Sequence, residues 1–321
     1  MKKVQVLMSA YNGARYLPGQ LDSILLQTGV EVALLVRDDG SVDETLEILR
    51  SYEKRYRNMS VYTGKRKGAA ASFFDLLLHA DLSNSYYAFA DQDDVWRKDK
   101  LFRAVSLMER HSAGQPLLYA GKVIYASQNL GRRQEFAYKI RRGPSFGNAL
   151  VENICMGCTE VFNRRLLELA RNHLPKENIM HDWWMYLTAA FFGKVVYDQQ
   201  AYMLYRQHGE NQIGMQNRWG RRWMNRLIHT RQMKHKLSRQ AGQFYGAYLR
   251  HAAGSLPVSG YARWSAEDRR SFHKNLDCLL LLCSYKDSFK NRCRIFCNRT
   301  ICRQTYLDDV ICRLLFLAGF L

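Results

Sequence analysis

The 321-residue sequence lacks several features that would each point to a particular class of protein. No apolar run approaches the ~20 residues that a membrane-spanning helix needs, and the apolar stretch after Met1 is too short for a signal peptide. No G-x-G-x-x-G follows the first predicted strand, and no P-loop is present. We therefore expect a cytoplasmic protein in which any nucleotide is held without either glycine loop.

Zinc-site spacing is also absent. Cys155-Met156-Gly157-Cys158 is a lone C-x-x-C, and the next cysteine along the chain is Cys278. A structural zinc site needs a second pair of ligands nearby. In a cytoplasmic protein the cysteines are expected to be reduced, so we interpret these as structural thiols.

What the sequence does contain is apolar residues and positive charge. The hydrophobic content of 47% supports a substantial core. The formal net charge of +19 is unevenly spread, because residues 211–321 carry 20 lysines and arginines against six aspartates and glutamates. A basic segment implies an anionic partner, and charge alone does not distinguish nucleic acid from anionic lipid.

Residues 1–130 alternate strand-like and helix-like segments. Short continuous apolar runs predict buried strands, and apolar residues at helical spacing predict the helices between them. Such β-α repetition with short connections predicts a mainly parallel sheet covered by helices on both faces. The predicted strands are 4–8, 32–36, 59–63, 86–90 and 117–125, with a later strand at 194–198; the clearest helices are 16–27 and 181–192.

The acidic run Asp91-Gln92-Asp93-Asp94 follows the strand predicted at 86–90. Open α/β sheets hold ligands at the carboxyl ends of their strands. If the chain stays extended, Asp91 and Asp93 point the same way, and two close carboxylates favour a hard divalent cation. The alternative is a solvated acidic loop.

Further polar motifs follow the other predicted elements in a fixed order. Together with the acidic run they are Ser9-Ala10-Tyr11-Asn12, Asp38-Asp39-Gly40-Ser41, His181-Asp182-Trp183-Trp184 and residues 206–212. The ordered set resembles the family 2 inverting glycosyltransferases of the GT-A type over residues 1–215. Within that family it is similar to bacterial rhamnosyltransferase-like proteins that build O-antigen or capsule. This implies a GT-A, Rossmann-like α/β domain at 1–215 and a basic helical region at 216–321.

The resemblance implies a nucleotide site. Asp39 matches the position that accepts a hydrogen bond from the imide edge of uracil or thymine, which suits a carboxylate. Ala10 and Tyr11 match residues beside the base and ribose, and Lys67-Gly68 resembles a loop that approaches the nucleotide. The alternatives are an Asx-turn at Asp39 and an ordinary surface turn at Lys67-Gly68.

The resemblance also implies a Mg²⁺ or Mn²⁺ ion. Asp93 is the expected metal ligand and Asp91 faces ribose or metal-bound water, with Asp94 as the alternate ligand if the register is displaced. His208 matches a metal or diphosphate contact, and Arg206 beside it is expected to contact phosphate. The ion would neutralise charge developing on the departing nucleoside diphosphate.

Asp182 is the expected general base, because inversion requires a base on the face opposite the leaving group. It falls in the first turn of a predicted helix, where the helix dipole favours its ionised form. Trp183 and Trp184 would desolvate it and raise its pKa, and the sequence does not decide between these effects. The alternative is simple N-capping with both tryptophans in the core. Cys158 falls in a segment that matches the acceptor side of the family.

The expected donor is dTDP-rhamnose or a UDP-hexose, and the expected acceptor is a lipid-linked surface glycan. Basic and apolar residues between Arg218 and Arg231 predict a helix that lies on an anionic membrane. Residues 310–321 would lie at the membrane, on their own domain or on a second subunit of a homo-oligomer. The competing functions are a metal-dependent sugar nucleotidyltransferase and a nucleic-acid-binding protein; the acidic turns disfavour the latter.

Overall fold

The computed structural model describes residues 1–112, 114–135, 140–177, 179–208, 236–250 and 265–321. Within these residues, nine strands form one sheet at the centre of the molecule. The strands are β1 (Lys3–Ala10), β2 (Glu31–Asp38), β3 (Met59–Thr63), β4 (Tyr86–Ala90), β5 (Val95–Trp96), β6 (Leu117–Ser127), β7 (Arg133–Glu135), β8 (Val161–Asn163) and β9 (Lys194–Gln207).

The sheet order is β3-β2-β1-β4-β8-β6-β9-β5, and β7 pairs with β6. The block β3-β2-β1-β4 is entirely parallel, and β6 and β9 are also parallel. The short strand β8 runs antiparallel to both β4 and β6 and joins the two parallel parts. As a result the carboxyl ends of β2, β1 and β4 lie side by side at one edge of the sheet.

Eleven α-helices within the described residues cover the sheet and extend beyond it. A 3₁₀ turn at Gly157–Thr159 precedes β8. The helices are α1 (Leu17–Leu25), α2 (Thr45–Arg55), α3 (Ala69–His79), α4 (Lys100–Met108), α5 (Phe146–Ala149), α6 (Arg164–Arg171), α7 (His181–Phe192), α8 (Lys236–Tyr248), α9 (Ala266–Ser284), α10 (Phe289–Cys297) and α11 (Tyr306–Leu317).

The apolar core is divided by the sheet into two clusters. Side chains of a strand alternate between its faces, so on β1 Leu7 belongs to one cluster while Val6 and Met8 belong to the other. Cys155 and Cys158 are likewise buried as free thiols in different clusters. They therefore share no site, in agreement with their interpretation as structural residues.

The C-terminal helices pack onto the sheet domain. Phe244 of α8, Phe272 of α9 and Phe316 of α11 belong to the same cluster as Trp184 of α7. The proposed boundary at residue 215 and the stretch 218–231 fall outside the described residues. No helix among the described residues has the length and apolarity needed to cross a bilayer.

The main differences from the predicted elements are short or irregular strands. β5 and β8 have two and three residues, too few to show a periodic pattern. β9 continues to Gln207 rather than ending at Asp198, and its register against β6 shifts near Lys122. The polar run at 198–200 resembles a loop in the sequence, but Asp198 is buried in an ion pair with Arg103.

Candidate active site

A cavity of about 480 Å³ lies at the carboxyl ends of β1, β2 and β4. Its walls come from the loops after these strands, the amino ends of α3 and α7, the 3₁₀ turn and the end of β9. The lining residues are Ser9, Tyr11, Asn12, Asp39, Arg66, Gly68, Ala69, Phe73, Asp91, Gln92, Asp93, Met156, Gly157, Cys158, Met180, His181, Asp182, Tyr205 and His208.

Asp39 lines this cavity and is held by several hydrogen bonds. Its carboxylate pairs with the buried guanidinium of Arg37 and accepts the backbone N–H groups of Lys67 at 2.9 Å and Gly68 at 2.8 Å. Burial acts to raise the pKa of Asp39, but these hydrogen bonds outweigh it and hold the pKa below its usual value. The Asx-turn considered for Asp39 belongs instead to Asp38, whose carboxylate accepts the N–H of Gly40 at 3.2 Å.

The loop before α3 lines the cavity with Arg66 and Gly68, whereas the sequence predicted Lys67 and Gly68. The Lys67 ammonium turns away to Asp75 at 2.8 Å, so only its backbone faces Asp39. Gly68 lines the cavity and has φ +82°, and this backbone angle rather than lack of space requires glycine. Arg66, which the sequence analysis missed, lines the cavity with its guanidinium 4.3 Å from the Tyr11 ring centroid.

The loop after β1 is held against the acidic loop by Gln92. Its side chain accepts the Tyr11 N–H at 2.8 Å and donates to the Tyr11 carbonyl at 2.9 Å. Tyr11 lines the cavity, as its predicted place beside a base requires, whereas Ala10 is fully buried and does not. Gln92 was treated only as the spacer of the acidic run, so its positioning role was missed.

The acidic loop bends at Gln92 and Asp93, so the extended geometry expected there is absent. Asp91 and Asp93 nevertheless both line the cavity. Burial and the charge of Asp93 raise the pKa of Asp91 above its usual value. Asp94 is fully buried, and it accepts the Arg206 N–H at 3.1 Å instead of facing the cavity.

His208 and Arg206 at the end of β9 play different parts. His208 lines the cavity with Nε2 2.6 Å from Asp93 Oδ2, and its ring stacks on Tyr16. Arg206 does not line the cavity, contrary to the expected phosphate contact. Its side chain is buried and donates to the carbonyls of Asp93 at 2.7 Å and Gln128 at 2.6 Å. Arg206 therefore supports the backbone of the acidic loop without lining the cavity.

Three side chains that line the cavity offer oxygen or nitrogen atoms that could hold a hard cation: Asp91, Asp93 and His208. A second grouping joins Asp91, Asp94 and Cys158, whose ligand atoms all lie within 4.8 Å of one another. Burial raises the pKa of Cys158 well above its usual value, so this sulfur is a neutral thiol. A neutral thiol does not suit Mg²⁺ or Mn²⁺, which prefer oxygen ligands.

Asp182 lies in the first turn of α7 and lines the cavity. Its carboxylate accepts the N–H groups of Trp183 at 2.7 Å and Gly157 at 3.3 Å. Burial raises its pKa to about 6 despite these hydrogen bonds, so desolvation outweighs the helix terminus. The N-cap residue is Met180, which makes no side-chain cap, so Asp182 is not the N-cap.

The two tryptophans after Asp182 belong to the fold. Trp184 is fully buried and donates its ring N–H to the His173 carbonyl at 3.1 Å. Trp183 donates its ring N–H to the Ala149 carbonyl at 2.6 Å and does not line the cavity. Their position supports the interpretation that both tryptophans belong to the core.

His181 is a cavity residue that the sequence analysis did not select. It is 5% exposed, and among the described residues neither of its ring nitrogens has a hydrogen-bond partner. A buried polar group left in this state costs about 1–3 kcal/mol. Burial lowers the pKa of His181 to about 3, so the ring is neutral. Only its position next to Asp182 could have pointed to it.

Residues 5–169 match the model of glycosyl transferase family 2. The chain belongs to this family and is a glycosyltransferase, as its motifs predicted. It is 29% identical over 263 residues to the dTDP-rhamnosyl transferase RfbG of Shigella flexneri, a match that covers 74% of this chain and 89% of that protein.

A second relative is the UDP-Glc:alpha-D-GlcNAc-diphosphoundecaprenol beta-1,3-glucosyltransferase WfgD of Escherichia coli. It is 30% identical over 166 residues, which cover 51% of this chain and 61% of that enzyme. The fold is similar to that of S. aureus TarS residues 1–349, crystallised with UDP-GlcNAc, with a TM-score of 0.59 at 16% identity. This alignment covers 99% of this chain and 91% of that one. The predicted GT-A fold is thereby confirmed.

Proposed function

We propose that the protein transfers a sugar, with inversion, from a dTDP- or UDP-linked donor to a hydroxyl of a growing lipid-linked bacterial glycan. The observation that carries this proposal is the convergence of Asp39, Asp91, Asp93 and Asp182 on one cavity. The names of RfbG and WfgD support the donor class and the acceptor class. dTDP-rhamnose is the preferred donor, because the match to RfbG extends over most of both chains.

The base of the donor is assigned to the Asp39 end of the cavity. The carboxylate is held ionised by Arg37, and an ionised carboxylate only accepts hydrogen bonds. Uracil and thymine present an imide N–H at the position where cytosine has an acceptor nitrogen. Asp39 would therefore favour UDP and dTDP over CDP, while Tyr11 and Arg66 would enclose the base and ribose.

A divalent cation fits the oxygen and nitrogen atoms that Asp91, Asp93 and His208 present to the cavity. Asp93 and His208 would hold it, with Asp91 contacting it directly or through water. When bound, the cation would neutralise charge that develops on the nucleoside diphosphate as it leaves. Arg206 would keep Asp93 in place through the backbone of the acidic loop.

Asp182 is proposed to take the proton from the acceptor hydroxyl as that oxygen attacks the anomeric carbon. The N–H groups of Trp183 and Gly157 fix the carboxylate and support its ionised form. Burial raises its pKa towards neutrality, which is the range where a general base is most effective.

A thermal-shift screen with Mn²⁺ tests the donor site. We expect UDP, dTDP and their sugar conjugates to raise the melting temperature of the wild type, and CDP to have little effect. Asp39→Asn should bind UDP and dTDP about tenfold more weakly, because a charge-assisted hydrogen bond is lost. Equal shifts with all nucleoside diphosphates would contradict the assignment of Asp39. Release of pyrophosphate from dTTP or UTP in the presence of a sugar 1-phosphate would instead indicate a nucleotidyltransferase.

The C-terminal helices α10 and α11 suggest how the enzyme reaches a lipid-linked acceptor. Arg292 packs on Gly319, and the Tyr285 hydroxyl donates to the Leu321 carbonyl, so the start of α10 and the end of α11 meet at one corner. At this corner Phe289 is 68% and Phe320 50% exposed. In the sequence, Lys290 follows Phe289 directly, and Lys286 and Asp287 precede Phe289 by three and two residues.

We propose that this corner docks on the anionic inner membrane surface, since exposed aromatic and basic side chains together suit the interface. Wild type should float with anionic liposomes at low salt. A Phe289→Ser, Phe320→Ser double variant should bind about tenfold more weakly, while Phe102→Ser, an exposed residue of α4, should not change binding. Wild-type flotation in neither low nor high salt would exclude the proposal, and sedimentation of the same variants would detect a dimer instead.

A further inference from the structure

We propose that Asp75 of α3 is a positioning residue of the nucleotide site, which holds Asp39 and the loop of residues 64–68 in the arrangement that recognises the base. This inference rests on the proposed function, because it assumes that Asp39 binds the base of the nucleotide sugar. Asp75 itself does not line the cavity, so it acts through the residues that it contacts.

Asp75 accepts hydrogen bonds from three parts of the chain. The donating groups are Arg37 Nε of β2 at 3.0 Å, the Tyr62 hydroxyl of β3 at 3.0 Å and Lys67 Nζ of the loop at 2.8 Å. Burial acts to raise the pKa of Asp75, but the hydrogen bonds from Lys67 and Tyr62 outweigh it and lower the pKa. The ionised carboxylate therefore joins two strands of the sheet to the loop before α3.

Two of these partners of Asp75 are also partners of Asp39. Arg37 pairs with both carboxylates through different nitrogens of its guanidinium. Lys67 contacts Asp75 with its ammonium at 2.8 Å and Asp39 with its backbone N–H at 2.9 Å. The four residues form a closed ring of hydrogen bonds. Because a shift of Arg37 or Lys67 moves the groups that hold Asp39, Asp75 fixes the base-binding carboxylate from outside the cavity.

The packing around Arg37 makes this ring rigid. The Arg37 side chain is 1% exposed, and it also donates to Ser72 Oγ and to the Lys65 carbonyl, each at 2.9 Å. A Cβ added to Gly64 would clash with Arg37 Nη2, so the start of the loop passes directly beside the guanidinium. The ring contains two cations and two anions. Removal of Asp75 would leave positive charge without compensation in a buried place.

Asp75→Asn tests the inference, because asparagine keeps the size of the side chain and removes its charge. The Kd values of UDP and dTDP and the KM of the nucleotide sugar should rise about fivefold, while kcat at saturating donor should stay within about twofold of wild type. The preference for UDP over CDP should also decrease, since Asp39 is held less firmly. Calorimetric titrations with UDP, dTDP and CDP and steady-state kinetics measure these changes.

Asp198→Asn is the matched control. Asp198 is also a buried aspartate that pairs with an arginine Nε, of Arg103 at 2.8 Å, and accepts a tyrosine hydroxyl, of Tyr119 at 3.4 Å, but it does not line the cavity or belong to the ring. This variant should lose thermal stability and still bind UDP and dTDP as wild type does.

Lys67→Met keeps the test decisive if Asp75→Asn does not fold. The Lys67 side chain is half-exposed, and methionine removes its ammonium while the backbone N–H to Asp39 remains. Its binding of UDP and dTDP should weaken about threefold.

Unchanged binding of UDP and dTDP in a folded Asp75→Asn would overturn the inference. If that variant does not fold, unchanged binding in Lys67→Met would overturn it. An equal loss of binding in Asp198→Asn would also do so, because general destabilisation would then explain the effect. A wild type that binds CDP as tightly as UDP would instead refute the assignment of Asp39 in the proposed function, a result that requires none of the variants.

Discussion

Asp182→Asn is expected to lower kcat for sugar transfer by about 10²- to 10⁴-fold, the range supplied by a general base. Asparagine has nearly the same shape and its side-chain oxygen can still accept the Trp183 N–H, so the fold and nucleotide binding should be kept. Steady-state transfer kinetics and UDP or dTDP titrations measure the two properties separately. Asp22→Asn, an exposed change on α1, is the control. A kcat within tenfold of wild type would remove Asp182 from the mechanism.

The pH dependence of the wild type follows from the same residue. The base works in its ionised form, and burial raises the pKa of Asp182 to about 6. kcat/KM should therefore rise with pH through an apparent pKa of about 6 and level off above it. The low-pH limb should be absent from the residual activity of Asp182→Asn.

Stability should change in the opposite direction to activity. The folded-state pKa of Asp182 lies above the unfolded value, so wild type loses stability as pH rises from about 4 to 6. Asp182→Asn removes this loss and should be about 3 kcal/mol more stable than wild type at pH 7.5. The gain should shrink towards pH 4, as denaturant titrations at the two pH values can show.

Asp93→Ala is expected to reduce donor turnover at least about 100-fold, because a bound cation supplies several kcal/mol of charge stabilisation. EDTA should reduce wild-type turnover to a similar level, and excess Mn²⁺ or Mg²⁺ should restore it. Excess metal should not restore turnover in Asp93→Ala. His208→Ala should need a higher metal concentration than wild type to reach half of its maximal turnover.

The control for this experiment is Asp99→Ala. Asp99 is a half-exposed aspartate six residues further along the chain and does not line the cavity. It should keep wild-type activity and metal dependence. Wild-type turnover that resists EDTA, together with full activity of Asp93→Ala, would contradict a cation at this site.

The longer strands and helices were well predicted, because their apolar patterns extend over enough residues to be recognised in the sequence. The strands at 59–63 and 86–90 and the helix at 181–192 have the predicted limits. Continuous apolar runs and helical periodicity depend only on nearby residues. β5 and β8 were missed because their pairing partners, rather than their own sequences, determine them.

Within the site, the sequence identified residues better than it identified their contacts. Asp39, Asp91, Asp93, Asp182 and His208 line the cavity, as motifs at strand and helix ends allow. Loop direction has no periodicity, so the sequence could not show that Arg66 rather than Lys67 faces the cavity. The long-range contacts of Arg206 depend on how β9 passes the acidic loop.

The pKa of Asp182 and the unpartnered nitrogens of His181 were also beyond the sequence. Both depend on how tightly the first turn of α7 is enclosed, and that enclosure comes from Phe73 and Gly157, which are distant along the chain. The sequence indicated two opposite effects on the pKa of Asp182, the helix dipole and desolvation. In the folded protein desolvation is the larger effect, and the pKa is raised.

The most direct measurement is the release of nucleoside diphosphate from dTDP-rhamnose and UDP-hexoses by wild type, Asp93→Ala and Asp182→Asn, with and without Mn²⁺. We expect wild type to release UDP or dTDP only with the metal, and both variants to release little, although Asp182→Asn should still bind the donor. Metal-independent release that neither substitution affects would contradict the assignment of this cavity as the site of sugar transfer.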